Sequence, residues 1–338
     1  MTTKRPTLAD VASRAGTSTA VVSYVLNNGP RPVSESLRAK VLDALEQLDY
    51  RPDRHARALR RPRRWRQIGL LVPDLTMPLF GTFVGRFEVE ARARDHLTMI
   101  GNTGFDPERE LEFATAFADV GIDGLIVVGA VDAVATAELC ARSRIPVVWV
   151  HNSRGRIEAP IVGADHYEAG RLAARHLVDT HACERIAFVG GSTDDDVQHG
   201  DRETVAQRLA GFASVADGDV IRTDLTGTGA YRAVREYLQE QTIPPQGLVV
   251  GTFGQAAAAM RAVTDSGLRV PGDLRIVAFD ADVRRDYGQI SLATVQQPID
   301  TIVGGALDRL LGGDTPDRSY AVTLRAGESC GCGGGIPA

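Results

Sequence analysis

The sequence predicts two architectures in one chain of 338 residues: a small all-α module at the N-terminal end and a large α/β body behind it. Charge separates the two, because residues 1–66 contain 14 Lys and Arg against 6 Asp and Glu, whereas the whole chain has a net charge of −5. The apolar residues of the basic module recur at helical spacing. In the body, short apolar runs alternate with amphipathic segments, a pattern typical of parallel sheets covered by helices on both faces.

Three short helices are predicted in the basic module. Thr7 is placed to cap the first, Ser18 the second and Ser34 the third, and Gly16 lies in the turn between the first two. The apolar side chains expected to face a common core are Leu8, Val11, Ala12, Ala15, Val22, Val25, Leu26, Leu37, Val41, Leu45 and Leu48. Two helices joined by a turn with glycine suit a helix-turn-helix, although a generic three-helix bundle fits the same pattern.

The outward face of the second helix favours DNA binding. Its side chains are small or polar and none is acidic, so the helix can lie deep in a major groove about 12 Å wide. Thr19, Ala20 and Tyr24 are placed to reach base edges, and the remaining polar side chains are better placed for phosphates. The predicted DNA-binding residues of the module are Thr7, Ser18, Thr19, Ala20, Ser23, Tyr24 and Asn27. The positive charge supports this interpretation, although a solvated basic arm would carry the same charge.

Residues 51–66 are rich in arginine and predict a linker that orders on DNA. Pro52 suits a helix start and Pro62 ends it, but a helical stretch of 53–60 is shorter than the roughly 12–15 residues that are stable alone in water. Arg54 and Arg57 are predicted to contact DNA from this segment. A charged linker without a helix is the alternative.

The body is expected to contain two α/β halves, because it is too long for one sheet. Apolar runs predict strands at 68–72, 96–100, 124–128, 146–150, 185–189, 247–250 and 274–279. Amphipathic segments predict helices at 79–94, 107–120, 132–143, 167–179, 202–216, 228–241 and 255–266. Ligands of open α/β sheets bind beyond the carboxyl ends of the strands, which points to Asp74, His151, Gly190, Gly191, Thr252, Phe253 and Asp280.

The basic module resembles the headpiece of the LacI/GalR family of bacterial repressors. The resemblance rests on the segments Thr7–Ala12, Arg14–Gly16, Val22–Asn27 and Leu48–Pro52. It implies that residues 51–66 are a hinge helix and that Leu59 is the leucine that such hinges wedge into the minor groove at the operator centre. Many members carry Arg where this chain has Tyr24, so the resemblance does not imply an operator sequence.

The body resembles the type I periplasmic-binding-protein fold of the same family, so that the match covers essentially the whole chain. Its landmarks are Val72–Asp74, Asp123–Ile126, Arg208–Phe212, Gly267–Pro271 and Thr294–Pro298. The resemblance implies two subdomains joined by three crossovers, an effector bound between them and a homodimer formed side by side. The absence of C-terminal heptads argues against a coiled-coil tetramer.

The resemblance also implies the domain boundaries. A headpiece is expected at 1–50, a hinge at 51–66 and an effector-binding and dimerisation body at 67–338. The first subdomain of the body would comprise about 67–160 and 292–320. The second would comprise about 161–291 and 321–338.

Effector-binding residues are carried over position by position from the resemblance. They are Phe80, Arg202, Arg208, Asp280 and Gln297, and the strand-end rule adds Asp74, His151, Thr252 and Phe253 to the predicted effector-binding residues. Arg208 and Asp280 are expected at the mouth of the cleft, facing the ligand. Three of these residues have a purely structural alternative: Arg208 could belong to an ion pair, Asp280 could cap a helix and Phe80 could be part of the hydrophobic core.

Departures from the family pattern concentrate at this site. His151 stands where Asp is common, and Thr252-Phe253 replaces the usual Asn or Ser followed by Asp. Exchanging a carboxylate for an imidazole removes two acceptor oxygens and adds a group that can donate. The expected effector is therefore a sugar or related metabolite, but not one of the best-known sugars of the family.

The function predicted is a dimeric transcriptional repressor that binds a near-palindromic double-stranded operator under control of a small-molecule effector. A DNA-binding protein without effector response, an α/β enzyme and a transport binding protein are the alternatives. The enzyme reading is weak because Gly190-Gly191-Ser192-Thr193 lacks the spacing of a phosphate-binding loop. The N-terminal residues lack an apolar signal segment, so a cytoplasmic protein is expected.

The four cysteines are scattered and predict no disulfide framework. Cys330 and Cys332 could bind a metal or oxidise, but their glycine-rich C-terminal setting favours a frayed end. No metal and no cofactor is predicted.

Overall fold

A computed structural model describes residues 7–27, 33–48, 66–151, 161–191, 193, 202–280, 289–312 and 318–333. The chain divides into two compact units, Met1–Arg64 and Trp65–Ala338, and the division falls within the predicted linker. Arg54, Arg57 and Leu59 lie outside the described residues, as do the side chains of Leu26, Asn27 and Arg202.

The described residues of the N-terminal unit form three helices: α1 at Leu8–Arg14, α2 at Thr19–Asn27 and α3 at Glu35–Gln47. All three predicted caps are confirmed, because the hydroxyls of Thr7, Ser18 and Ser34 accept backbone N–H groups three residues further on. Thr7 also donates its own N–H to Asp10 at 2.7 Å, which completes a capping box. Gly16 has a φ of +65°, which turns the chain between α1 and α2.

A small core holds these helices together. Its buried members are Val11, Ala12, Ala15, Val22, Val25, Val41 and Ala44. The Arg14 guanidinium donates to Oε1 of Gln47 at 2.6 and 3.0 Å and so joins the end of α1 to the end of α3. The first two helices and the turn between them form the predicted helix-turn-helix.

The second unit contains twelve strands and eight longer helices among its described residues. The strands are β1 Arg66–Val72, β2 His96–Asn102, β3 Gly124–Val128, β4 Val147–Val150, β5 Ile161–Ala164, β6 Ile186–Val189, β7 Val220–Ile221, β8 Gly247–Val250, β9 Arg275–Phe279, β10 Ala293–Gln296, β11 Arg318–Tyr320 and β12 Thr323–Arg325. The helices are α4 Pro78–Ala93, α5 Pro107–Val120, α6 Ala133–Ser143, α7 His166–Arg175, α8 Arg202–Ala213, α9 Gly227–Glu240, α10 Phe253–Asp265 and α11 Ile299–Gly312.

Two six-stranded sheets divide this unit into two subdomains. The first sheet has the order β11-β5-β4-β3-β1-β2 and the second has the order β12-β10-β9-β8-β6-β7. All pairings are parallel except that of β10 with β12. Because parallel strands are covered on both faces, the central strands are continuous buried apolar runs, as predicted.

The chain passes between the two sheets three times, but two of the expected boundaries shift. Ile161–Ala164 pairs with the first sheet, so the first crossover follows Ala164 rather than residue 160. Ala293–Gln296 pairs with the second sheet, so the second crossover follows Gln296 rather than residue 291. Strand pairing decides both boundaries, because a strand belongs to the sheet that contains the strand it is hydrogen-bonded to. The third crossover lies between β11 and β12, near the expected position.

Two features of the second subdomain go beyond or against the prediction. The predicted helical segment 167–179 is helical throughout, but its last turn, at His176–Thr180, is π-helical, which the sequence did not predict. The expected frayed end at Cys330 is instead a 3₁₀ turn at Glu328–Cys330, whose Ser329 hydroxyl donates to the carbonyl of Ile276 at 2.7 Å. Among the described residues, no helix is both long and apolar enough to cross a lipid bilayer.

Candidate functional site

A cavity of about 450 Å³ lies between the two subdomains of the second unit. The first subdomain contributes Asp74, Thr76, Met77, Pro78, Leu79, Phe80, Phe105 and His151 to its lining. The second contributes Thr204, Val205, Arg208, Leu225, Thr226, Gly227, Thr252, Phe253, Gly254 and Asp280. The volume lies within the range of about 300–1,000 Å³ that is usual for small-molecule sites.

Most residues predicted from the sequence for this site meet at the cavity. Asp74, Phe80, His151, Arg208, Thr252, Phe253 and Asp280 line it. Gln297 supports the lining through hydrogen bonds to Asp280 and His151. Arg202 begins α8, and its side chain is outside the described part of the chain.

The base of the cavity is a buried ion pair between Arg208 and Asp280. Arg208 also donates to the carbonyl of Gly251 at 2.9 Å, and its guanidinium lies 4.4 Å above the centre of the Phe279 ring. The second oxygen of Asp280 accepts from Nε2 of Gln297 at 2.7 Å. The two charged residues are 2% and 9% exposed. Both residues line the cavity and are also paired with each other, so the structural ion pair weighed for Arg208 is present, and their contact with a ligand stays a prediction.

Two histidines extend this network across the cleft. His151 of the first subdomain contacts Gln297 through Nδ1 and Thr204 through Nε2, both at 3.4 Å. Its ring meets that of His166 edge-on at 4.9 Å, and His166 lies 3.4 Å from Arg208. The imidazole found where the family commonly has Asp therefore connects the two subdomains.

Both His151 and Asp280 have left-handed backbone conformations. Each directly follows a strand, β4 or β9, and the φ angles are +77° and +54°. Non-glycine residues adopt this region rarely, and such strain concentrates at functional sites. Their backbone N–H groups bond to the carbonyls of Val162 and Val295, which fixes the turn of each strand end.

An apolar wall faces this polar base from the first subdomain. The Phe80 ring contacts His151 at 6.0 Å and Phe105 at 6.3 Å, both edge-on. Met77 and Leu79 continue the wall. Phe80 is fully buried in the core of its subdomain and lines the cavity, so the core alternative holds and its contact with an effector stays a prediction.

Two helices of the second subdomain begin at the cavity. Thr252 caps α10 by accepting the N–H of Gln255 at 3.3 Å, and Thr226 caps α9 by accepting that of Gly229 at 3.0 Å. Helix N-termini present backbone donors and a partial positive charge, which suits ligand oxygens. Thr226 was not predicted for the site, although it lies two residues before the predicted helix 228–241. Thr204, Phe105 and His166 were not predicted either, and the sequence carries no local signal for them.

Close packing of two helices positions Arg208. A Cβ atom at Gly170 of α7 would lie 1.9 Å from the carbonyl oxygen of Arg208, and one at Gly211 of α8 would lie 1.9 Å from that of Tyr167. Only glycine permits this approach, so the two glycines set the position of α8 against α7.

The candidate DNA-binding face lies on α2. Ser18, Thr19 and Ala20 are exposed and Ser23 and Tyr24 are half-buried, whereas Val22 and Val25 face the core. Thr7 is also exposed, but its hydroxyl is engaged by Asp10 at 2.7 Å.

A helix-turn-helix followed by two α/β subdomains around a ligand-sized cleft defines a DNA-binding regulator with a ligand-binding body. A profile described as bacterial regulatory proteins, lacI family, matches residues 7–53. One described as a periplasmic binding protein-like domain matches residues 174–330. The chain belongs to the LacI family of bacterial transcriptional regulators.

Known relatives match nearly the whole chain. An uncharacterized HTH-type transcriptional regulator in the aml 5′ region of Streptomyces limosus is 32% identical over 90% of this chain and 87% of its own length. Catabolite control protein A of Priestia megaterium is 29% identical over 90% and 91%. The lac repressor dimer, bound to operator and the anti-inducer ONPF, has a TM-score of 0.71 at 24% identity over 97% and 99%.

Proposed function

We propose that this regulator represses transcription as a homodimer whose operator affinity is controlled by a small molecule bound in the cleft. The observation that carries the proposal is the polar network at the base of the cleft, which joins His151 of one subdomain to Arg208 and Asp280 of the other. A ligand contacting both walls would favour one relative arrangement of the subdomains, and differential affinity is what shifts such an equilibrium.

The ligand that fits is a ring with several hydroxyl or amide groups and one apolar face, such as a sugar or a nucleobase. Thr204, Thr226 and Thr252 offer hydroxyls, and the aromatic wall of Phe80 and Phe105 offers an apolar surface. The lac repressor structure supports a small-molecule effector for this architecture, since that protein is bound to an anti-inducer.

The cleft is proposed to bind its ligand without transforming it. Imidazoles and carboxylates are the commonest catalytic bases. In this cleft His151 contacts Gln297 and Thr204 at 3.4 Å, both oxygens of Asp280 accept from Arg208 and Gln297, and Oδ1 of Asp74 accepts the N–H and the hydroxyl of Thr76 at 2.8 Å. Each of these groups already has partners within the protein, as expected of residues that hold a binding site together. The relatives are regulators by name, which favours binding over catalysis.

A homodimer is proposed through the first subdomain. Strand β2 is at the edge of its sheet, and Leu97 and Ile100 on it are 40% and 43% exposed. Val89 of the neighbouring α4 is exposed as well. An apolar edge of this kind is usually covered by a partner, and the lac repressor matched above is a dimer.

Sequence-specific DNA binding is proposed to depend on Tyr24 and Thr19 of α2. To test this, an operator is first selected from random DNA with the full-length protein. Tyr24→Ala should lose about 1–3 kcal/mol, roughly 5- to 150-fold, on the selected operator, with preference relaxed at one base pair. Fluorescence anisotropy on single-base operator variants measures this loss. Leu42→Ala, which removes an exposed side chain from α3, is the matched control. A uniform weakening on every operator variant would reduce Tyr24 to a backbone contact.

A further inference from the structure

Two histidines and two cysteines converge in the second subdomain, away from the cleft lining. They are His176 and His181 at the two ends of the π turn, and Cys330 and Cys332 at the 3₁₀ turn near the C-terminal end. We propose that these four side chains form a tetrahedral Zn²⁺ site. The site is independent of the proposed regulatory function.

The distances among the ligand atoms fit a zinc tetrahedron. Nε2 of His176 lies 3.3 Å from Nε2 of His181, 3.3 Å from Sγ of Cys330 and 3.6 Å from Sγ of Cys332. Nε2 of His181 lies 3.3 Å from Sγ of Cys332. Zinc bonds of about 2.0–2.1 Å to nitrogen and about 2.3 Å to sulfur give tetrahedral edges of about 3.4 Å for N···N and about 3.6 Å for S···N. All four atoms lie within 4.8 Å of one another, as a common central ion requires.

Hydrogen bonds alone do not account for this convergence. A neutral imidazole nitrogen either donates one proton or accepts one, yet Nε2 of His176 faces three other polar atoms at close range. Two ring nitrogens and two sulfurs are all lone-pair donors when deprotonated. A central divalent cation satisfies all four at once, and two thiolates balance its charge.

The backbone is shaped to bring the histidines together. In an α-helix, residues five apart point about 140° away from each other. The turn at His176–Thr180 is π-helical, with bonds from i to i+5, and it places His181 one turn beyond His176. Their rings meet edge-on with centroids 4.8 Å apart. Single π turns within helices are rare overall, and those that occur are often at functional sites.

Zinc is the ion that this ligand set favours. Two thiolates and two imidazoles in a tetrahedron are typical of zinc, whereas Mg²⁺ and Ca²⁺ prefer oxygen ligands. Four protein ligands leave no open position, which indicates a structural site. The ion would fasten the C-terminal segment to the end of α7 across more than 150 residues of sequence. Cys332 is exposed while Cys330 is buried, so the ion can enter from solvent.

Metal analysis of the full-length protein tests the proposal. Protein purified in reducing buffer without chelator should contain about one zinc per chain. After chelator treatment, Co²⁺ should restore one equivalent and give the visible absorption of tetrahedral cobalt with thiolate charge transfer. Cys332→Ser and His181→Gln should each lower zinc retention at least tenfold, because each removes one of four ligands. Cys140→Ala, which removes a buried thiol of the first subdomain, should retain the full zinc content.

Three results would overturn the proposal. The first is reduced, chelator-treated wild-type protein that takes up no stoichiometric Zn²⁺ or Co²⁺. The second is wild-type metal affinity in both ligand variants, which would place the ion elsewhere. The third is a Cys330–Cys332 disulfide that is present in the isolated protein and forms again after reduction even with Zn²⁺ added, which would make the pair a redox couple instead of a metal site. Thermal unfolding supplies the folding control, since the proposal requires zinc to raise the midpoint of wild type but not of Cys332→Ser.

Discussion

Helix α7 has a polar cluster at each of its ends, and the two clusters differ in how their members are satisfied. At the start of the helix, His166 lies beside Arg208, and there a cation and an amide donor face the two oxygens of Asp280. At the far end, His176 meets one histidine and two cysteines, and all four present lone pairs to one another. In the first cluster the opposite charges of Arg208 and Asp280 pair with each other, whereas the second requires a cation at its centre.

This difference indicates different roles for two sites built on one helix. A network built on a buried ion pair can form the preorganised base of a binding cleft. A cluster of converging ligands instead binds an ion and joins distant segments of the chain. Both clusters combine residues far apart in sequence, so helix packing assembles each of them.

Removal of Arg208 should have the largest effect on stability. Arg208→Ala leaves the Asp280 carboxylate buried without its cation, which costs about 3–5 kcal/mol for a buried pair. Urea unfolding of the full-length protein measures the loss, and Arg208→Ala with Asp280→Asn should recover part of it because the stranded charge is gone. Arg261→Ala, which breaks an exposed pair with Asp265, should change little.

The contrast between the clusters predicts how a chelator acts on these variants. The loss in Arg208→Ala should be the same with and without chelator, since no ion belongs to that network. Cys332→Ser should have a lower free energy of unfolding than zinc-loaded wild type, but the same free energy of unfolding as wild type when a chelator is present. A chelator-dependent loss in Arg208→Ala would show that the clusters are not separate.

The close crossing of α7 and α8 should be the next most sensitive feature. Gly170→Ala puts a Cβ atom 1.9 Å from the Arg208 carbonyl oxygen, and forcing the helices apart costs about 1–3 kcal/mol. The variant should also bind ligands in the cleft more weakly, because Arg208 moves with its backbone. Gly304→Ala in α11 meets no atom within 4 Å and should be neutral or stabilising. Equal melting temperatures for the two variants would contradict the packing argument.

Glu110 of the first subdomain extends the comparison to a buried carboxylate held by neutral donors. It accepts the N–H of Val131 at 2.7 Å and the hydroxyl of Thr136 at 2.8 Å, but burial raises its pKa by more than these bonds lower it. The folded state therefore keeps a proton that the unfolded state releases near pH 4.5, so stability falls as pH rises through the window above that value.

Glu110→Gln should remove this part of the pH dependence. The free energy of unfolding, measured by urea between about pH 4 and pH 7, should fall less steeply in the variant than in wild type. Parallel curves for the two proteins would mean that Glu110 has the same pKa in both states. The expected change in stability is smaller than in Arg208→Ala or Gly170→Ala, since no charge partner is lost.

Local signals in the sequence predicted much of the fold. Capping residues such as Thr7 and Ser34 and long apolar runs such as Gly124–Val128 identify elements without reference to the rest of the chain. Strand β7 has two residues, too few for a pattern, and Gly163 interrupts the short apolar run of β5. The crossover positions depend on which sheet a strand joins, and that is a matter of tertiary pairing.

The cleft was predicted by position but not by geometry. Asp280 and His151 follow strands, and strand ends indicate ligand sites in α/β folds. That Arg208 and Asp280 pair with each other depends on the approach of α8 to β9, which no local pattern encodes. The same holds for His176 and Cys330, which lie 154 residues apart, so Cys330 appeared to belong to a frayed end.

The most direct test of the account is the coupling between the cleft and the operator. Thermal-shift screening with monosaccharides, disaccharides and nucleobases identifies a compound that stabilises wild type, and operator affinity is then titrated against that compound. Saturating compound should change the operator affinity of wild type by about 5- to 150-fold. In Phe253→Ala, which alters a half-buried residue of the cleft lining and spares the buried network, the midpoint should move to higher compound concentration. A compound that stabilises wild type but not Phe253→Ala, and that leaves operator affinity unchanged, would contradict the account.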